Sequence, residues 1–246
     1  MRLGNVRASA RLLDARRLAR SAELFAGTPD AIEEALSAAQ LINVAAGETL
    51  HRQGESAESL FLIIAGTAKL VQVTPDGEEI LIRYFLPWDA VGVTCVLATN
   101  HDSTAVVTDD LEAIWWPAAT VRLLLNRHPR LALNLVGILQ RRLHDAQVAV
   151  TERSTRSVEQ RLALLMLRLL KRVQADRAEP SAILHASCNE LGTAAGTTIF
   201  TVSRILTRWE AHGLISRRFG EIAVTNPRSL AAIAAIDVDW ADVPSV

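Results

Sequence analysis

Cysteine is nearly absent. Cys95 and Cys188 are the only two in 246 residues, they stand far apart, and neither belongs to a Cys-x-x-Cys pair. A disulfide framework and a four-cysteine metal site are both excluded, and with them an iron–sulfur cluster held by protein thiolates. Long apolar runs are missing too. The longest, such as LALLMLRLL at 162–170, are short or broken by Arg and fall below the roughly 18 to 20 residues a membrane span requires. The amino terminus carries Arg2, Arg7, Arg11, Arg16, Arg17 and Arg20 without the apolar stretch and cleavage site of a secretory signal. The expectation is a cytoplasmic protein with no membrane partner.

Basic side chains are scarce in one half only. Residues 31–120 hold Arg52, Lys69 and Arg83 against thirteen acidic residues, a net of −10, whereas 157–230 carry ten Lys or Arg against six Asp or Glu, a net of +4. The total of −1 conceals this split. An acidic first half repels a polyanion; a basic second half attracts one and releases its counterions. A nucleic-acid partner, if there is one, belongs to the carboxy-terminal part. Half of the residues are hydrophobic and 22% charged, the composition of a globular chain, and at about 150 residues per domain the length suits two modest cores.

From about 40 to 116 the chain alternates short apolar runs with turns: AAGETL, SLFLIIAGTAKLVQVT, PDGEE, ILIRYFLPWDAVG. Alternating and β-branched runs between Gly-containing turns describe antiparallel β-structure closing into a roll or barrel, with Asp76-Gly77 as a hairpin turn. After Pro117 the punctuation stops. A short helix ends near Arg127, Pro129 breaks the chain, and a long helix follows. In that helix Val136, Leu139, Leu143, Ala146 and Val150 recur at spacings of three, four, three and four, the seam of a two-stranded coiled coil and hence of a homodimer. The alternative is that the stripe packs on the β-structure of its own chain. TERSTRSVEQR then leads to another apolar helix at about 157–174, with the domain boundary near Thr151–Ser157.

Residues 189–212, NELGTAAGTTIFTVSRILTRWEAH, break into a short helix, a turn at Gly196, a Thr197-Thr198 cap and a second amphipathic helix stopped by Gly213. Val202, Ile205, Leu206 and Trp209 share the packing face; Ile199, Phe200, Ser203, Arg204 and Thr207 share the other. A helix presenting Arg, Ser and Thr outward from a helix-turn-helix suits the major groove, where a guanidinium takes two acceptors on guanine. Arg204 is the leading base reader. Thr197, Thr198, Thr201 and the amides of the helix start suit phosphate. LISRRFGEIAVT reads as two short strands around Phe219-Gly220, a wing whose Arg217 and Arg218 reach the backbone of a duplex.

With these residues in view the chain resembles the bacterial CRP/FNR family, the regulators related to the cyclic-AMP receptor protein, from about residue 24 to 230. ELGTAAGTTIFTVSRIL is similar to the family's E-[IL]-G…G-x-[ST]-x-E-T-V-x-R-[IL]-L helix-turn-helix, GESAESLFLIIAGTAKL resembles the start of its β-roll, and RRL at 141–143 sits where the dimerisation helix often carries that triplet. The resemblance implies an α+β fold: a cyclic-nucleotide-binding-like jelly roll, a long dimerisation helix and a carboxy-terminal winged helix-turn-helix. It implies a homodimeric transcription regulator, not an enzyme, bound to a palindromic operator in double-stranded DNA and working with RNA polymerase. The expected division is a basic extension at 1–22, a β-roll sensor at 23–128, a dimerisation helix at 129–153, the DNA-binding domain at 154–234 and a tail at 235–246.

The departures from the family pattern concern the signal. Nucleotide-binding members have Gly-Glu followed about ten residues later by Arg-Ser, the Glu for the ribose hydroxyl and the Arg for the phosphate. The stretch here is GVTCVLATNHDSTA, which puts Val93 at the Glu position, Ser103 at the Arg position and Thr104 at the Ser position. A cyclic phosphate loses its charge-assisted partner, on the order of 1.5–3 kcal/mol, so cyclic AMP is not the expected effector, unless Arg83 or Arg122 folds over to substitute. The effector pocket, if kept, comprises Gly92, Val93, Thr94, Cys95, Ser103 and Thr104. The fumarate-nitrate members use an amino-terminal cysteine cluster, and the first 94 residues here contain none. Haem-sensing members take axial ligands from His or Cys; Cys95, His101, His128 and His144 are candidates without a recognisable ligand spacing, and the competing reading makes them surface or hydrogen-bonded histidines and a small buried thiol. Cys188, just before the helix-turn-helix, is either inert or open to an oxidation that would weaken DNA binding. A responsive regulator with a non-standard nucleotide or haem pocket is the alternative to one without a cyclic-nucleotide signal.

Specificity departs as well. Phe200 stands where the family has a Glu that accepts from cytosine, beside Ile199. Either both contact thymine methyl groups and favour an A·T-rich site, or Phe200 tucks against the wing and reads nothing. Two rival classes are weaker: an enzyme using Cys95 with a histidine lacks an oxyanion site and orienting carboxylate at recognisable spacing, and a nucleotide-binding module acting on another protein lacks the cassette and has no use for a helix-turn-helix.

Overall fold

The computed structural model describes residues 2–3, 22–77, 79–97, 99–175, 183–218 and 221–235. Most of the basic extension and the tail lie outside the described residues. The chain divides into two compact units, Met1–Asp145 and Ala146–Val246, with the division inside a helix.

The first unit is an antiparallel sheet covered by short helices. Strands β1 (Arg2–Leu3), β2 (Gln40–Val44), β7 (Thr104–Pro117), β4 (Ser59–Val73) and β5 (Glu79–Phe85) lie side by side in that order; β3 (Thr49–His51) joins β7 and β6 (Ala90–Val91) joins β4. The β4–β5 hairpin turns at Gly77, whose φ is +83° and whose amide donates to Thr74, as Asp76-Gly77 predicts. Successive side chains of a strand face opposite ways, and the run LFLII exploits this. Leu60 and Leu62 enter one core with Ile114 and Trp116, while Phe61 and Ile63 enter another with Ile42, Phe85, Val91 and Leu111. A continuous apolar strand therefore marks a strand buried on both faces.

Three helices close the first of these cores: α1 (Pro29–Ser37), α2 (Ala118–Arg127) and the start of α3 (Pro129–Thr155). Trp116 is buried, with its indole N–H donating to the Ala35 carbonyl at 2.7 Å, which satisfies the one polar group of a large apolar ring. Pro129 separates α2 from α3 as expected, because it lacks an amide donor. The long helix runs on to Thr155, past the expected end at 153, and only two residues separate it from α4 (Val158–Ala175). Ser157 and Gln160 explain the sharp restart. The Ser157 amide donates to Gln160 Oε1 at 2.9 Å and the Gln160 amide to Ser157 Oγ at 3.2 Å, a reciprocal cap on two otherwise orphaned donors.

In the second unit α4, α5 (Cys188–Ala195), α6 (Ile199–Ala211) and α7 (Pro227–Ala234) surround a core of Leu162, Met166, Leu191, Val202, Leu206 and Trp209. Beside them lies a three-stranded sheet, β8 (Ile183–His185), β10 (Glu221–Val224) and β9 (Ile215–Arg218). The β9–β10 pair is the expected wing. Strand β8 has no counterpart in the sequence reading, because three residues are too few for a periodic signal.

Candidate nucleic-acid interface

The helix-turn-helix is built by local chemistry. Ser187 caps α5, its Oγ accepting from the Glu190 amide at 3.2 Å while the Glu190 carboxylate accepts from the Ser187 amide at 2.8 Å. Gly196 turns the chain at φ +66°, a left-handed conformation that L side chains rarely adopt. Arg161 of α4 holds that turn, with Nε donating to the Ala195 carbonyl at 2.8 Å and Nη2 to the Gly196 carbonyl at 3.3 Å. Thr198 then caps α6, accepting from the Thr201 amide at 3.3 Å.

Helix α6 is divided as its sequence predicts. Val202, Ile205, Leu206 and Trp209 are buried; Ser203, Arg204 and Thr207 are exposed, and so are Ile199 at 43% and Phe200 at 82%. Trp209 anchors the inner face by donating to Glu159 Oε1 at 2.9 Å, where Arg208 also pairs at 2.6 Å. Burial alone would raise the Glu159 carboxyl, but these two partners hold it below the usual range. On the outer face Arg204 makes no hydrogen bond or ion pair among the described residues. Its five donors face solvent from a helix whose inner side is locked.

Arg217 behaves differently from expectation. Its Nε and Nη2 donate to Glu210 Oε2 at 3.0 and 2.8 Å, and Nη2 reaches Thr207 Oγ1 at 3.1 Å. These bonds, with one from the Arg217 amide, hold the Glu210 carboxyl below its usual range. Arg217 therefore ties the wing to α6. Arg218, the next residue, is exposed. The sequence could not separate the two, because which neighbour faces inward depends on the register of β9 with β10.

The comparisons agree with this geometry. Residues 41–128 match the family model described as "Cyclic nucleotide-binding domain", and residues 160–233 match that of the "Crp-like helix-turn-helix domain". The transcriptional activator protein Anr of Pseudomonas protegens is 27% identical over 194 residues, 78% of this chain and 80% of that protein. The fumarate and nitrate reduction regulatory protein of Escherichia coli K12 is 26% identical over 189 residues, 76% of each. The structure of FixK2 from Bradyrhizobium japonicum shares the fold, with a TM-score of 0.71 at 18% identity over 81% of this chain and 99% of that one. The chain is a CRP/FNR family transcription regulator. Its relatives are regulators and not enzymes.

In this CRP/FNR regulator the stretch from Gly92 to Val96 packs closely on the rest of the roll. Gly92 stands at φ +78°, and a Cβ there would lie 2.3 Å from the Ser59 carbonyl oxygen, so the glycine is kept for backbone approach. Val93 and Cys95, expected in an effector pocket, are instead buried in the core with Leu60, Leu62 and Trp116. The 3-10 turn at Val93–Val96 lays these two side chains on that core. Thr94, Ser103 and Thr104 stay half-buried, and Thr104 Oγ1 accepts from the Gln53 amide at 3.0 Å. Of the two arginines considered as substitutes, Arg122 donates to the Cys95 carbonyl at 3.1 Å, and Arg83 lies over the Phe85 ring, 5.3 Å from its centroid.

The haem candidates are dispersed. Burial pushes the Cys95 thiol up to about 11, against a smaller opposing pull from Arg122, so it is a protonated core thiol and not a ready thiolate. His128 pairs with Glu34 at 2.8 Å, and His144 is exposed. His101 is buried and stacked on His51, a pairing without a signal in the sequence. Among the described residues no group of three or more His, Cys, Asp or Glu is placed to hold a metal, and no helix is long and apolar enough to cross a membrane.

The seam residues of α3 are exposed on this chain, with one exception. Val136 and Leu143 are each 60% exposed and Val150 65%, and Ala146 is exposed as well. Leu139 packs partly against the core beside Leu135 and Ile138, because it borders the buried face of the helix. The stripe therefore forms a second apolar face, apart from the one that Leu131, Leu135 and Ile138 bury.

Proposed function

We propose that this regulator acts as a homodimer joined along Val136, Leu143, Ala146 and Val150, with Leu139 at the margin, and that its two copies of α6 read a palindromic operator with half-sites one helical turn apart, roughly 34 Å. The observation that carries this is Arg204: an exposed guanidinium without a hydrogen-bond or ion-pair partner among the described residues, on the outer face of a helix pinned on its inner face. It takes guanine, Ser203 takes an adjacent base, and Thr197, Thr198, Thr201 and Arg218 position the duplex by its phosphates. Exposed apolar side chains at heptad spacing support the dimer, since a contiguous stripe of this kind marks an interaction surface.

The signal in this reading is not cyclic AMP, because Val93 and Ser103 offer neither the ribose nor the phosphate a charged partner. Any change in the roll reaches the duplex by altering the register or stiffness of α3, and RNA polymerase is the partner that responds. Leu143→Glu tests the arrangement. It places a carboxylate in the seam and touches no core residue. The expected result in sedimentation and duplex titration is a monomer with at least a hundredfold weaker operator binding; an unchanged dimer with unchanged affinity would overturn the proposal.

A further inference from the structure

We infer that this regulator recognises thymine through its C5 methyl group, using Phe200 and Ile199; the inference rests on the proposed docking of α6 in the major groove. Apart from Val150 on the seam, these two are the exposed large hydrophobic residues of the second unit among the described residues. They are consecutive, and they form the first turn of α6, directly after the Thr198 cap. At 82% exposure Phe200 does not tuck against the wing strands, which removes the alternative that it reads nothing because it is packed away. An exposed phenyl ring beside an exposed Ile makes a small apolar surface at the end of the helix that meets base edges in this kind of motif.

The chemistry names what covers that surface. Neither side chain donates or accepts a hydrogen bond. Guanine, cytosine and adenine present only donors and acceptors in the major groove, and an apolar group pressed on them strips their water without replacing it, a penalty of about tenfold or more per base. The C5 methyl of thymine is the one apolar group on a major-groove edge. Arg204 lies four residues beyond Phe200, one turn along the same face, a rise of about 6 Å. That is roughly two base-pair steps at about 3.4 Å each. The half-site therefore carries thymine about two steps from the guanine that Arg204 reads.

The test uses the full-length protein. A preferred site is selected from random duplexes, and affinity is then measured with each thymine of the half-site replaced by deoxyuridine, which removes only the methyl. The wild type is expected to select thymine within two or three steps of a guanine and to lose about fourfold per critical methyl, equivalent to ~0.8 kcal/mol for one buried methyl group. Phe200→Ala or Ile199→Ala should bind thymine and deoxyuridine duplexes equally at the position that the removed side chain covers. Both side chains are exposed, so both variants should keep wild-type circular dichroism and melting temperature. Equal affinity of the wild type for the two duplexes, or a methyl preference that survives both substitutions, overturns this inference and leaves the DNA-binding reading standing. Failure of the wild type to select any duplex overturns both.

Discussion

His51 and His101 stack face to face in the β-roll, ring centroids 3.8 Å apart and planes within 14° of parallel. Both are buried, and His51 Nδ1 has no hydrogen-bond partner among the described residues. The loop that follows His51 is stitched to the one that carries His101: the Gly54 amide donates to the His101 carbonyl, the His101 amide to that of Glu55, and the Ala57 amide to that of Thr99. Two imidazoles in this setting are tolerated only when neutral.

Acid should therefore weaken the sensor unit. Burial, reinforced by His101, pushes His51 down to about 4, against the Ser103 backbone; burial also lowers His101, against Glu55 and Asp102. Above pH 6.5 neither state binds the proton and the pair contributes no pH dependence. Below it the unfolded chain takes up protons that the folded chain refuses, so stability falls from about pH 6.5 down to about pH 4. For His51 alone the loss at pH 5 is on the order of 2 kcal/mol. Denaturation of wild type and His51→Phe at several pH values reads this as a slope, which any packing cost of the ring leaves untouched. The variant should lose part of the slope, and equal slopes would contradict the account.

Removing the Arg161 guanidinium should loosen the DNA-binding unit selectively. Arg161→Ala deprives the Ala195, Gly196 and Arg156 carbonyls of a charged donor. The expected destabilisation is about 2 kcal/mol in the melting of the second unit, with the first unit unchanged. Gly196→Ala should cost about 1 kcal/mol through its positive φ.

Cys95 should resist thiol reagents in the native protein. A thiol with a pKa near 11 inside an apolar core reacts only when the roll opens, so its labelling rate should follow unfolding, while half-buried Cys188 labels independently. Fast labelling of Cys95 at pH 7.5 would contradict the burial described here.

Cyclic AMP should leave the melting temperature unchanged at millimolar concentration. A ligand present at 100 times its Kd adds about 2.7 kcal/mol, several degrees for a domain of this size. A shift of that size would mean that the roll finds a phosphate partner outside the positions of Val93 and Ser103.

Much of this was legible before the structure. Helix boundaries at Pro117 and Pro129, the hairpin at Gly77 and the two faces of α6 follow from local rules: proline's missing amide, glycine's positive φ and a 3.6-residue period. The parts that were not legible depend on partners distant in sequence. Leu60 and Phe61 feed different cores because two faces of one strand are covered by different elements. The lock of Arg217 on Glu210 depends on sheet register, and the meeting of His51 with His101 depends on strand β3 pairing with β7 beside the loop that carries His101. Val93 and Cys95 illustrate the limit from the other side: their place in the family pattern suggested a pocket, whereas the 3-10 turn carrying them buries both.

The central claim is that Arg204 reads a base, and replacing it provides the most direct measurement. Sites selected by wild type and Arg204→Ala should differ: the variant should lose preference for one guanine per half-site and bind the wild-type operator about 1–3 kcal/mol more weakly per half-site, while its salt-sensitive affinity for random duplex changes little. An identical selected sequence with identical operator affinity would contradict the account.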